Sequence, residues 1–327
     1  MKKSNPVRTT IFAARAAFCL AALIAGLGLI PAGRLTAQTL TVLHSFSAEG
    51  SGGTNSDGAS PRGRLITNLS GNTLYGTAAL GGSLGYGAVF AVNTDDTGFT
   101  NLHSFNNYSN GLQPYAGLIL SGSTLYGTTY GGGISGYGTV FAVNTDGTGF
   151  TNLHRFTATS GNLSTNSDGA NPFAGLIVSG NTLYGTVGLG GFGYGTVFAL
   201  NTDGTSFTTL HSFRSYSSEG AYPHSVILSG NALYGPAESG GSSDEGTLFS
   251  LSFAPQLTII PSGANVVLTW PTNFVGFDYT RFTLQSTTNL SPSAWSPVAQ
   301  DAVTNAGQIS VTVPTSDGSE FFRLRSQ

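Results

Sequence analysis

One motif, returning four times, constrains this chain more than any other feature. Residues 116–156 read AGLILSGSTLYGTTYGGGISGYGTVFAVNTDGTGFTNLHRF, and most of the chain between positions 40 and 253 repeats that pattern with edits. Four anchors recur in a fixed order. Gly-x-x-Pro begins at Gly58, Gly111, Gly169 and Gly220. Leu-Tyr-Gly begins at Leu74, Leu125, Leu183 and Leu233. Gly-(Thr/Ala)-(Val/Leu)-Phe begins at Gly87, Gly138, Gly195 and Gly246. Leu-His-x-Phe begins at Leu43, Leu102, Leu153 and Leu210.

Each repeat carries short β-type runs separated by turn residues. In the second repeat these are 117–120, 124–129, 139–144 and 150–156. The last two are joined through Asp146-Gly147, a pair that favours a tight turn. The run Thr139-Val140-Phe141-Ala142-Val143 is apolar without clean alternation, as in a strand buried on both faces. Gly is 47 of 327 residues, in keeping with many turns that need positive φ. Stacked four-stranded sheets around an axis make a β-propeller. The first anchor met in the chain, at Leu43, is the last one of the repeat, and the fourth repeat lacks it. The sequence therefore predicts an all-β, four-bladed β-propeller closed by the N-terminal strand 39–46. An open stack or solenoid is the rival, and it would leave that strand as an edge.

The stretch LYGTTYGGGISGYGTVFAVNTDGTGFTNLHRF resembles the bacterial GloVer (Gloeo/Verruco-type) tandem repeat, and all four repeats share the likeness. The resemblance implies an exported protein with a variable C-terminal anchoring region. It implies no particular biochemical activity.

The two ends of the chain read differently. Lys2, Lys3, Arg8 and Arg15 precede or flank an apolar run of about 15 residues, 16–30, with Leu35-Thr36-Ala37 as cleavage site. Residues 1–37 are read as a signal peptide, so the mature protein is expected to be secreted, extracellular or at the cell surface, with no membrane span. Cleavage removes Cys19 and leaves seven arginines against 15 acidic residues. An acidic, cysteine-free mature chain argues against nucleic acid as a partner and against disulfide support. Residues 254–327 lose the glycine-rich pattern and hold both tryptophans, Trp270 and Trp295. Candidate strands there are 256–260, 265–270, 280–286, 296–300, 309–313 and 321–325. Their spacing suggests a small Ig-like or fibronectin-III-like sandwich. The domain reading is thus 38–253 for the repeats and 254–327 for the sandwich.

No catalytic constellation stands out. Gly131-x-Gly133-x-x-Gly136 matches a dinucleotide fingerprint in letters, yet a strand follows it where a helix is needed. His44, His103, His154 and His211 recur once per repeat, which predicts packing or a hydrogen bond to a neighbouring repeat more readily than a shared metal. Tyr75, Tyr126, Tyr184 and Tyr234 predict core positions with satisfied hydroxyls. Asn55 and Asp57, with Asn166 and Asp168, lie in two TNSDGA loops and are the candidate calcium ligands; no other cofactor is expected. Asp244 and Glu245 break the fourth repeat's Gly-Tyr-Gly pattern, and Glu238 lies nearby. Loops on a rigid scaffold commonly carry binding. The candidate ligand-binding residues are accordingly Tyr108, Tyr115, Tyr130, Phe192, Tyr216, Tyr222, Glu238, Asp244 and Glu245. The expected function is non-enzymatic attachment or recognition by a monomer, with a glycan or cell-surface protein as ligand. The alternative is a polysaccharide hydrolase or lyase, which needs paired carboxylates across a cleft.

Overall fold

The computed structural model describes residues 39–106, 108–214, 218–291, 294–315 and 318–326. The expected signal peptide lies outside them. The chain divides into two compact units, Met1–Val42 and Leu43–Gln327; all that follows concerns the second. Among the described residues there is no helix, only short antiparallel strands in several small sheets.

Each repeat builds one sheet. In the second repeat the order is Ile119–Ser121, Thr124–Thr129, Thr139–Asn144, Thr151–Arg155, each strand antiparallel to the next. The two middle strands match the sequence reading residue for residue. They are buried along nearly their whole length, so their lack of alternation reflects cover on both faces. The Leu-Tyr-Gly glycine has a steric reason. A Cβ on Gly127 would lie 2.6 Å from the Phe141 ring on the paired strand. Phe141 and its counterparts fill the space that the missing side chain leaves.

The joints between repeats explain two more anchors. In Gly-x-x-Pro the residue before proline adopts positive φ in every repeat: 54° at Ser60, 54° at Gln113, 56° at Asn171 and 57° at Tyr222. That conformation is costly for a non-glycine residue, and in the last three repeats a hydrogen bond to the preceding repeat offsets it. The Gln113 N–H donates to the Tyr86 carbonyl, Asn171 to Tyr137 and Tyr222 to Tyr194, at 2.8–2.9 Å. The proline that follows closes over the glycine of the third anchor. A Cβ on Gly87, Gly138 or Gly195 would lie 2.6 Å from Cδ of Pro114, Pro172 or Pro223. The threonine after Leu-Tyr-Gly completes each joint: Thr77 donates to the Ala116 carbonyl, Thr128 to Ala174 and Thr186 to His224. Apolar cores fill the same joints. Tyr75 and Val89 share one with Leu118 and Phe141. Tyr126 and Val140 share the next with Leu176 and Phe198.

The expected ring closure is not formed. Residues 43–46 carry no strand, and among the described residues none of the fourth repeat's strands pairs with them. Segment 43–47 binds the first repeat. His44 Nε2 and the Ser47 N–H meet Asp57 at 2.9 Å, the His44 ring stacks on Phe99, and Phe46 packs against Phe90. Those contacts tie the segment to the first repeat. The fourth repeat is correspondingly bare. Leu248 is 88% exposed, whereas its counterparts Val89, Val140 and Val197 are 0% exposed. Tyr234 is 43% exposed, so only three of the four repeated tyrosines sit in a core. At position 236 proline replaces the joint-forming threonine.

Beyond residue 253, Thr258–Ser262, Asn265–Pro271, Gln308–Pro314 and Val303–Asn305 form a four-stranded antiparallel sheet in that order. Ser296–Pro297, Phe282–Thr287 and Phe321–Ser326 form a three-stranded one. A hairpin of Asn273–Phe274 and Phe277–Asp278, missed in the sequence, reaches the third repeat. There the Tyr184 hydroxyl donates to the Val275 carbonyl at 2.6 Å, and the Tyr184 and Phe277 rings lie 5.6 Å apart. A single apolar core joins Tyr184, Val197 and Leu233 to Leu268, Trp270 and Val311.

Candidate binding cleft

Repetition fixes the anchors, so chemistry is free to vary at the positions between them. The residue after the anchor proline differs in every repeat: Arg62, Tyr115, Phe173 and His224. A second such position lies three residues beyond the Leu-Tyr-Gly glycine: Ala79, Tyr130, Gly188 and Glu238.

The joints bring these positions into one row. The Arg62 guanidinium lies 5.2 Å from the centre of the Tyr115 ring. Tyr115 lies 5.6 Å from Tyr130 and 5.5 Å from Phe173, and Tyr130 lies 6.4 Å from Phe173. Tyr130 and Phe173 then wall a cleft of about 280 Å³ whose far side is Tyr222, Pro223, His224 and Glu238. Gly188, Leu189 and Asn171 complete the lining. The walls are held from behind. Asn171 Nδ2 donates to the Tyr130 carbonyl at 2.9 Å, and the His224 N–H donates to the Pro236 carbonyl at 3.0 Å. His224 Nε2 meets Glu238 Oε2 at 3.2 Å, with both side chains well exposed. The cleft therefore offers aromatic rings and an exposed hydrogen-bonding pair. Glu238 is the one carboxylate among its lining residues.

Of the residues expected from sequence to bind ligand, Tyr130, Tyr222 and Glu238 line this cleft and Tyr115 adjoins it. The others lie apart from it. Phe192 stacks with the Arg214 guanidinium at 4.3 Å. Asp244 accepts the Gly240 N–H at 2.9 Å and so braces its own turn. Glu245 is exposed, Tyr108 is exposed, and neither lines the cleft. Tyr216 lies outside the described residues. Sequence reasoning missed Arg62, Phe173 and His224. Their signal was available as the variable residue just after an invariant proline.

The TNSDGA loops are held by protein hydrogen bonds. Asp57 accepts from His44 and from both the N–H and the hydroxyl of Ser47. Asp168 accepts in the same way from His154 and from Thr157. Burial works to raise both carboxyls, but these hydrogen bonds outweigh it and hold both below the usual carboxylate range. Asn55 Oδ1 accepts from the Gly58 and Gly82 N–H groups at 2.9 and 2.7 Å, and Asn166 Oδ1 accepts from Gly169 and Gly191 at 2.9 and 3.0 Å. The four candidate calcium ligands thus spend their oxygens on protein donors. Among the described residues no three His, Cys, Asp or Glu side chains gather as a metal site would require.

The repeated histidines pack across the joints, as their periodicity suggested. His44, His103 and His154 stack on Phe99, Phe150 and Phe207 of the next repeat, with ring centres 3.6–3.7 Å apart. His103 differs in its polar partner, Asn110 at 2.9 Å in place of a carboxylate. Burial without a compensating charge lowers its pKa to about 4.

Residues 30–167 match the Gloeobacter/Verrucomicrobia repeat family. No curated protein matches the chain. Similar solved structures include a nidogen/laminin complex, at 14% identity over 64% of this chain and 72% of that one, with TM-score 0.39. A putative TolB from Agrobacterium tumefaciens aligns at 12% identity over 84% and 78%, with TM-score 0.37. An α-L-arabinofuranosidase from Clostridium thermocellum aligns at 13% identity over 80% and 95%, with TM-score 0.33. At such scores these likenesses carry no argument about this chain's activity.

Proposed function

We propose that this chain is an exported, non-enzymatic recognition protein that binds a glycan in the cleft between its second, third and fourth repeats. In this reading 38–253 is a propeller-like array of four blades, and 254–327 is an Ig-like or fibronectin-III-like spacer. The observation that carries the proposal is the gathering of Tyr130 and Phe173, with Tyr115 packed against both, in one cleft with the His224–Glu238 pair. Aromatic faces present a negative quadrupole that suits the C–H face of a sugar ring. A histidine and a carboxylate supply a donor and acceptors for hydroxyl groups. A cleft of about 280 Å³ suits one or two sugar rings.

The hydrolase reading has less support. Hydrolysis of a glycosidic bond ordinarily takes two carboxyl groups on opposite sides of the bond, and Glu238 faces no second one among the residues lining the cleft. The deciding experiment is a glycan array probed with the purified protein, followed by product analysis on each hit. Binding that Phe173→Ala removes, with the glycan recovered intact, supports recognition. Cleaved product overturns it.

A further inference from the structure

The two ends of the repeat array are complementary in the way its internal joints are. We propose that the fourth repeat of one molecule receives the first repeat of a second copy, so that the chain assembles head to tail. This goes beyond ligand recognition in the cleft and rests on different residues.

The receiving end is an unfinished joint. The strand Thr247–Ser252 pairs only with Ala232–Ser239 among the described residues, leaving its other edge open. In the first three repeats that edge carries the Leu-His-x-Phe strand: Thr100–Ser104, Thr151–Arg155 and Thr208–Ser212. Beside it lies an apolar groove of about 380 Å³ lined by Ile227, Tyr234, Pro236 and Leu248. The same positions in the other repeats are sealed by the following repeat. Leu118 shares a core with Tyr75 and Val89, and Leu176 with Tyr126 and Val140.

The inserting end holds the missing parts. Residues 43–46 spell Leu-His-Ser-Phe, a complete fourth anchor with no strand to join. Its Phe46 already packs on Phe90 as Phe105 packs on Phe141. His44 stacks on Phe99 as His103 does on Phe150. The segment is therefore held against its own first repeat in the geometry of an outer strand that comes from a preceding repeat. Leu65, the counterpart of Leu118 and Leu176, is 46% exposed, whereas those two are 3% and 4% exposed. Strand, aromatic and leucine knob thus sit together at one end, and edge and groove sit together at the other. Within one chain, residues 43–46 pair with no strand edge among the described residues, so a second copy is the occupant that continues the array. Such a contact is heterologous and propagates. Pro236 deletes the threonine hydroxyl bond present in each internal joint, which makes this joint the weak, reversible one.

Internal registers fix the test. Ala88 pairs with Ser104, Thr139 with Arg155 and Thr196 with Ser212, which places residue 45 opposite residue 247. The protein used is the mature chain, residues 38–327, which has no cysteine. Ser45→Cys and Thr247→Cys proteins are then made separately, mixed and mildly oxidised. The expected result is a disulfide-linked dimer of the two chains as the main product, and only traces when Ser70→Cys replaces Ser45→Cys. A chain carrying both cysteines should yield a ladder of linked multimers. A disulfide closed within single chains, or none at all, overturns the proposal. In the cysteine-free chain, light scattering should show a mass that rises with concentration, and Leu248→Glu should hold it at the monomer. A concentration-independent monomer before that substitution also overturns it.

Discussion

Pro114 of the second repeat closes over Gly87 of the first so closely that a Cβ on the glycine would lie 2.6 Å from the proline Cδ. The same pair recurs as Pro172 on Gly138 and Pro223 on Gly195. The repeats are therefore joined by a glycine whose conformation and space are both required. Gly138→Ala should destabilise the protein by about 3 kcal/mol, combining the left-handed backbone cost with a clash that cannot relax. Gly122 also has positive φ, at 61°, but nothing lies within 4 Å of its Cβ position. Gly122→Ala should cost only about 1 kcal/mol. Urea unfolding of the two variants checks the difference, and equal losses would mean that the joints tolerate crowding.

Tyr184 ties the third repeat to the hairpin ending at Asp278. Its hydroxyl donates to the Val275 carbonyl, and Tyr184→Phe leaves that buried acceptor without a donor at a cost of about 1–2 kcal/mol. Burial, with the nearby Tyr279, raises the phenol to about 12 from its ordinary 10.0. A raised folded pKa adds stability that is complete below pH 10 and is lost as the pH climbs towards 12. In alkaline melts the wild type should lose stability across that window more steeply than Tyr184→Phe.

His103 gives the opposite sign at acid pH. Its folded pKa is about 4 against 6.5 for the free group, so the unfolded chain takes up the proton first. Its contribution is complete above pH 6.5 and falls away as the pH drops towards 4. His103→Gln, which keeps a donor facing Asn110, should flatten the melting temperature across that interval. A wild-type curve as flat as the variant's would sink the assignment.

Asp57 and Asp168 brace their loops. Their depressed pKa values mean that each adds stability above the ordinary carboxylate pKa and loses it only as the pH falls through the lower folded value. Asp168→Ala should cost about 2–3 kcal/mol by stranding Thr157 and His154. A chelator should leave the melting temperature of the wild type unchanged. A clear drop on chelation would restore Asn55, Asp57, Asn166 and Asp168 as calcium ligands.

The repeat sheets were legible because the anchors carry geometry. Gly127 and Phe141 announce a paired strand, and Asp146-Gly147 announces its turn. Ring closure was misread because the side chains of this anchor grip the following repeat whether or not its backbone joins a strand edge, as His44 on Phe99 and His103 on Phe150 show. Asp57, about a dozen residues beyond His44, holds that segment as Asp168 holds His154, and only the strand pairing differs between the two. The cleft was half legible. Tyr130 and Tyr222 stand out as aromatic residues near loops, whereas Phe173 and His224 gain meaning only once the Pro–Gly joints bring successive repeats side by side.

The cleft itself separates stacking from acid–base roles. Phe173→Ala and Tyr130→Ala each remove an aromatic wall while leaving the joint residues untouched, and each should weaken glycan binding roughly tenfold or more, given about 1.4 kcal/mol or more per lost aromatic contact. Glu238→Gln keeps an acceptor and adds a donor, so binding should change by less than about fivefold, in line with the net worth of one exposed hydrogen bond. His224→Asn should behave similarly. Titration calorimetry against an array hit reads all four. Were Glu238→Gln to leave binding intact yet abolish a measurable turnover, the carboxylate would be working as an acid, and the recognition reading would give way to catalysis.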